Sequence, residues 1–278
     1  MNKIKLTPNY PVYPPYHKGE YLEDYYMTFS DSNTINTDRI YIPVSWTTYH
    51  CDGYNRNELQ SFLNNLDSSL KYYTVCQHDD APQENLPEDT LIFSAGGNCE
   101  KSGVIPIPLV CSPLPSELIL EQERTILLSF VGAVTHPIRQ KCIESLRDKP
   151  DIELAFSNWN NRVSEENFKY FINKTLSSKF CLSPRGYGAS SFRMYEAMQL
   201  GSIPVYVTDK VYTPFTDVLD WNDFAVIIEE KDISSIHEIL LSYDEERIVM
   251  MQKNLKEVWN KYFSIDAVCH NIKRILEL

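Results

Sequence analysis

Residues 180 to 207, FCLSPRGYGASSFRMYEAMQLGSIPVYV, hold the densest set of side chains able to do chemistry in this chain. An apolar run ends at Ser183, a turn of Pro184, Arg185, Gly186, Tyr187 and Gly188 follows, and a helical pattern opens after Ser190 and Ser191. Serines at a helix start cap it, and the unpaired amides and dipole there favour an anion. Glycines let the backbone approach that anion, and Arg185 and Arg193 are planar forks suited to pyrophosphate oxygens. Arg193 and Glu196 lie three apart and share one helix face. They read either as an intrahelical salt bridge or as a division of roles, Arg193 on a diphosphate and Glu196 on ribose hydroxyls. Ser191 stands where a Gly-x-Gly-x-x-Gly fingerprint needs its third glycine, which argues against an ordinary NAD site.

The elements that must position these groups alternate strand and helix from Arg39 onward. The first half predicts strands over 39–46, 72–77 and 90–94 and a helix over 56–70. In the second half, strands are predicted over 125–131, 152–156, 179–183, 203–207 and 224–228, and helices over 136–148, 164–177 and 190–200. Three helical segments near 232–242, 244–262 and 265–278 complete the chain. Glycine and proline crowd residues 95–118, which places a linker near the end of that stretch. The expected fold class is α/β, two Rossmann-like domains facing a cleft: an N-terminal domain over 1–118 and a C-terminal domain over 119–278, with the last helix crossing back to the first. Residues 1–30 interleave Pro8, Pro11, Pro14 and Pro15 with Tyr10, Tyr13, Tyr16, Tyr21, Tyr25 and Tyr26. That composition predicts an extended arm lying on a surface by its rings.

Composition narrows the partners. Among 278 residues, 26 basic side chains face 38 acidic ones, a net charge of −12. Bulk electrostatics therefore opposes nucleic acid and anionic bilayers, and any anionic ligand needs a local basic site. No apolar run approaches the ~18 residues of a membrane span, and the first residues lack the apolar core of a secretory leader, so a soluble cytoplasmic chain without membrane insertion is expected. Seven cysteines show neither a Cys-x-x-Cys pair nor cysteine–histidine spacing for zinc, and read as buried thiols in a reducing compartment.

The run SKFCLSPRGYGASSFRMYEAMQLGSIPVYVTDKVYTPFTDVLDWNDFAVIIEEKD, residues 178–232, resembles the exostosin-type glycosyltransferases, glycosyltransferase family 47. The upstream LSFVGAVTHPIR, residues 128–139, is similar to the opening of that family's donor domain. The resemblance implies a glycosyltransferase B fold whose C-terminal half holds a UDP-sugar and whose N-terminal half takes a glycan acceptor. It also implies an inverting transfer with no obligate metal or other cofactor, and no Asp-x-Asp metal motif occurs in the chain. Carried over, Arg185, Gly186, Tyr187, Ser190, Ser191, Arg193 and Glu196 would hold the nucleoside diphosphate. Gly132 and Arg139 would line its phosphates, and Asn158, beside Trp159, would meet the base. With no anchor or stem region, the chain is similar to the short members found in bacteria and large DNA viruses, among which a xylosyltransferase of viral capsid-glycan synthesis fits best and favours UDP-xylose.

An inverting transfer needs a base for the acceptor hydroxyl, through an oxocarbenium-like transition state like that of glycosidases. The candidates follow two strands of the N-terminal half, at the ends where α/β sheets place ligands. They rank as Asp79, Asp80, Asp52 and His50, then His78; each also reads as a turn cap or solvated loop charge. Two other functions share the donor site: a nucleotide-sugar-binding module lacking the base, and a sugar-nucleotide epimerase acting without an acceptor.

Overall fold

Apolar runs too short for helices but buried on both faces specify parallel strands, and the chain forms two separate all-parallel sheets from them. A computed structural model describes residues 3–7, 20–114, 118–119, 122–160 and 163–278. Pro8, Tyr10, Pro11, Tyr13, Pro14, Pro15 and Tyr16 lie outside the described residues. Contacts divide the chain into one unit of Met1–Ser112, Tyr212–Phe215 and Tyr262–Leu278, and a second of Pro113–Val211 and Thr216–Lys261. Each is an α/β unit, the pair that a glycosyltransferase B fold comprises.

The first unit orders its strands β1 (Arg39–Tyr41), β2 (Lys71–Cys76), β3 (Leu91–Ser94) and β4 (Val104–Pro106) side by side in chain order. Helices α1 (Leu22–Ser32), α2 (Trp46–Asp52), α3 (Arg56–Asn64) and α9 (Ile265–Leu276) belong to it. Three expectations need correction here. Residues 22–30 are helical rather than extended: no proline falls between Pro15 and Pro43, and Glu23 and Asp24 occupy the favourable first turn. The strand predicted to run to Trp46 stops at Tyr41, because Pro43 has no N–H for the ladder, and Trp46 starts α2. Helix α3 ends at Asn64 instead of Leu70, where Asp67 folds the chain back by accepting from the Ser69 amide. Strand β4 lies inside the turn-rich stretch and is too short for periodicity to find.

The second unit carries β5 (Ile126–Ala133), α4 (Pro137–Leu146), β6 (Ile152–Ser157), α5 (Glu165–Leu176), β7 (Ser178–Leu182), α6 (Phe192–Gln199), β8 (Ile203–Thr208), β9 (Val226–Glu229), α7 (Ile236–Leu241) and α8 (Glu245–Val258). Its strand order is β6-β5-β7-β8-β9. Chain direction across the sheet therefore reverses between β5 and β7, and the carboxyl ends of these strands are where open α/β sheets bind ligands. Leu128, Phe130, Phe180, Leu182, Ile203, Val205 and Val207 fill the core beneath.

Buried tyrosines and acids tie α1 into the first unit. Tyr26 is fully buried and meets the ring of Tyr41 edge-on at 5.2 Å, while Tyr41 stacks on Tyr73 at 5.1 Å. The Glu23 carboxylate is fully buried and accepts from the amides of Thr47 (2.6 Å), at the start of α2, and of Gln77 (3.1 Å), at the end of β2. Gln77 answers by accepting from the Leu22 amide at 3.0 Å. One carboxyl thereby caps a helix and pins the end of the strand that leads into His78, Asp79 and Asp80.

Burial, reinforced by the neighbouring Asp24, raises the Glu23 pKa from 4.5 to about 7. The folded chain thus binds this proton more tightly than the unfolded one. Its stabilisation is complete below pH 4.5 and is lost as pH rises through 7. We expect the melting free energy to fall by up to about 3 kcal/mol across that window. Chemical denaturation from pH 4.5 to 8 checks this, and Glu23→Gln should flatten the slope.

Candidate active site

Strand β7 ends at Leu182, and the chain turns through Pro184–Gly188 before Ser191 caps α6 with extended backbone. The turn is built around Arg185, whose Nη1 lies 2.5 Å from Asp209 Oδ1 and whose Nη2 donates to Tyr187 O at 3.1 Å. That pair, together with the Arg185 charge, outweighs partial burial and holds the Asp209 carboxyl below the usual range. Asp209 had no role assigned from sequence; it lies 24 residues from Arg185, and only the pairing of β7 with β8 brings them together.

Arg139 was expected on a phosphate. Instead it donates from Nε to Arg185 O (3.0 Å), from Nη1 to Ala133 O (2.7 Å) and from Nη2 to Pro184 O (3.2 Å). It clamps the carboxyl ends of β5 and β7 together. Gly186 fits closely there, since a Cβ on it would stand 3.3 Å from Arg139 Nη2 and push that side chain by a few tenths of an ångström.

Arg193, in the first turn of α6, is largely buried. Its guanidinium carbon lies 3.7 Å from the centroid of the Phe171 ring on α5, and Nη1 is 3.0 Å from Glu196 Oε2. The salt-bridge reading of Arg193 and Glu196 is therefore realised. Gly132, near the end of β5, lies beside it: a Cβ there would stand 3.7 Å from Arg193 Nη2, an ordinary contact, and 3.2 Å from the Phe130 ring. Here Ser190 Oγ, Ser191 Oγ and Arg193 Nε are buried without a hydrogen-bond partner, as is Arg193 Nη1 apart from its ion pair with Glu196. Two hydroxyls and a guanidinium N–H gathered at the start of an eight-residue helix are a set that an anion's oxygens would satisfy.

The structure thus gathers Gly132, Arg139, Arg185, Gly186, Ser190, Ser191, Arg193 and Glu196 around the carboxyl ends of β5 and β7 and the start of α6. Tyr187 projects from the turn with 62% of its surface exposed. Asn158 stands exposed just past β6, on the strand outside β5, beside the exposed Trp159.

The base candidates of the first unit gather around the end of β2. Asp79 is half-buried, and Gly96 packs against it so closely that a Cβ there would fall 2.2 Å from Asp79 Cα. Asp79 O accepts from the Asn98 amide, and Asp80 Oδ1 accepts from Asn98 Nδ2 at 2.9 Å. His50 and Asp52 lie on α2 rather than just past a strand. His50 cannot reach a substrate: its side chain is 2% exposed, Arg56 Nη2 lies 2.8 Å from Nδ1, and Nε2 faces Glu84 Oε2 at 3.6 Å. Burial alone would raise the Glu84 carboxyl, but His50, its own backbone amide and Arg56 together hold it below the usual range. Of the cysteines, six are buried as expected and Cys51 is exposed. Among the described residues no three His, Cys, Asp or Glu side chains gather into a set that could hold a metal ion. No helix among them is long and apolar enough to cross a membrane.

Exostosin-1 homolog of Caenorhabditis elegans is 35% identical over 175 residues, covering 56% of this chain and 46% of that one. A probable glycosyltransferase of Arabidopsis thaliana is 30% identical over 159 residues, 57% of this chain and 28% of its own. The chain spans less than half the length of either relative. Among solved structures, TarM is similar with a TM-score of 0.43 at 8% identity, over 74% of this chain and 55% of that one, too distant to argue from. Residues 45–243, which run from the start of α2 to beyond β9, match the Exostosin GT47 domain, and on that extent the chain belongs to the exostosin GT47 family.

Proposed function

We propose that the chain is a glycosyltransferase that moves a sugar from a UDP-sugar, UDP-xylose in first place, to a hydroxyl of a glycan acceptor, with inversion and without a metal. The observation that carries this reading is the cluster of buried, unpartnered Ser190, Ser191 and Arg193 atoms at the start of α6, in a chain of this family. Those groups bind the diphosphate. Glu196 and the loop bearing Asn158 serve the nucleoside, and Tyr187 covers it.

Asp79 is the base. As it takes the proton from the acceptor hydroxyl, that oxygen forms a bond to the anomeric carbon and the bond from carbon to phosphate oxygen breaks. The electron pair leaves with UDP. The charge growing on the departing phosphate is met by Arg193 and the amides at the start of α6, which does the work of a divalent cation. In the first unit the chain supplies the acceptor site, in keeping with the carboxylates at the end of β2.

Thermal shift tests the donor half first, since a ligand of the native state raises its melting temperature. With EDTA present, UDP and one UDP-sugar should stabilise the protein while GDP, CDP, TDP and NAD do not; no response to any of them would overturn the donor site. Arg193→Ala should weaken UDP binding about 100-fold, the loss of a charged hydrogen bond in a buried site, measured by calorimetry. Asp79→Asn should leave UDP binding unchanged and lower sugar transfer by about 1,000-fold, the scale of a removed general base. Donor hydrolysis or isomerisation that needs no acceptor would instead support an epimerase, and donor binding with no turnover a binding module.

A further inference from the structure

His78 sits between β2 and Asp79, and its hydrogen-bonding state follows from geometry. The Asp80 backbone amide lies 3.1 Å from His78 Nδ1. A backbone N–H can only donate, so Nδ1 is the acceptor and the ring hydrogen sits on Nε2. The ring of His50 stacks on that of His78 with centroids 4.9 Å apart and planes 23° from parallel. His50 is itself fixed, because Arg56 can only donate to its Nδ1 and its Nε2 side faces Glu84. One face and one nitrogen of His78 are thereby occupied, and the ring remains partly exposed. What is left for a ligand is the Nε2–H edge.

We propose that His78 touches the acceptor sugar, donating from Nε2–H to one of its oxygens while the adjacent Asp79 takes the proton of the reacting hydroxyl. This rests on the reading of the first unit as the acceptor half. The charged surroundings keep the ring in that state. Burial, the His50 ring and the Arg56 guanidinium all disfavour a cationic His78 and outweigh Asp80, which lowers its pKa to about 4. Glu84 lies on the far side of His50, and Cys51, Asp52 and Asp79 are further ionisable groups next to the two histidines in the chain or in their field. His78 is consequently a hydrogen-bond donor of constant charge through neutral pH, and never the base.

Two measurements test this separately. Nitrogen-15 spectra of the wild-type imidazoles between pH 5 and 8 should show one histidine that stays neutral and Nε2-protonated throughout; if His78→Gln leaves that signal in place, or His78 becomes an imidazolium above pH 6, the proposal is overturned. In kinetics, His78→Ala should lower kcat/KM for the acceptor about tenfold, the loss of one neutral hydrogen bond, with the UDP dissociation constant unchanged. His78→Gln, which keeps a donor, should recover most of it. An alanine variant within twofold of wild type would overturn the contact. Absence of any sugar transfer by the wild-type protein would count against the transferase reading and the acceptor contact together, whereas the spectra judge the tautomer whatever the reaction.

Discussion

The ends of β5 and β7 and the start of α6 depend on one guanidinium. Arg139, reaching up from α4, gathers the carbonyls of Ala133, Pro184 and Arg185 onto a single planar fork. These carbonyls belong to the ends of the two strands that flank the reversal of the sheet. Without a shared donor their backbones would present acceptors to one another across a water-poor gap. With it, the spacing of β5 and β7 is fixed, so the turn through Gly186 has one course and α6 one starting point. The chemistry-bearing Arg193 inherits its position from that sequence of constraints, and Phe171 beneath it removes the remaining freedom.

The two units solve opposite electrostatic problems. Around α6, positive and polar groups are left short of partners, a preorganised deficit that an anion fills. Around β2 the unit buries Glu23 and Asp24 in an already acidic protein and offsets the cost by backbone amides and the Ser45 hydroxyl. Burial raises both carboxyls toward their neutral forms. The reward is rigidity at the strand end that presents His78 and Asp79, supported from beneath by the Arg56–His50 stack and from the side by Gly96.

Much of this was legible in the sequence where local pattern governs. Alternating apolar runs gave the second unit's strands and helices nearly to their ends, and the turn at Pro184–Gly188 announced an anion site by its residue types alone. The reading failed where partners come from afar. Nothing around Arg139 says that Nε and Nη2 are taken by carbonyls 46 and 45 residues away, nor does Glu84 advertise His50. His50 and Asp52 seemed to follow a strand because Val44 and Trp46 look strand-like; Pro43 outweighs them. At the N-terminus, the prolines ending at Pro15 coloured the reading of the tyrosines after them, whose rings are buried on a helix.

The first unit is not a continuous stretch of chain. Its α1 packs with α9, where the ring of Phe29 meets His270 at 5.0 Å and the Asn36 amide reaches Glu277 at 2.8 Å. Ile265, Val268 and Ile272 of α9 are buried in that unit. Closing it joins segments 241 residues apart in the sequence, so its folding carries the loop-closure entropy of the whole second unit lying between them.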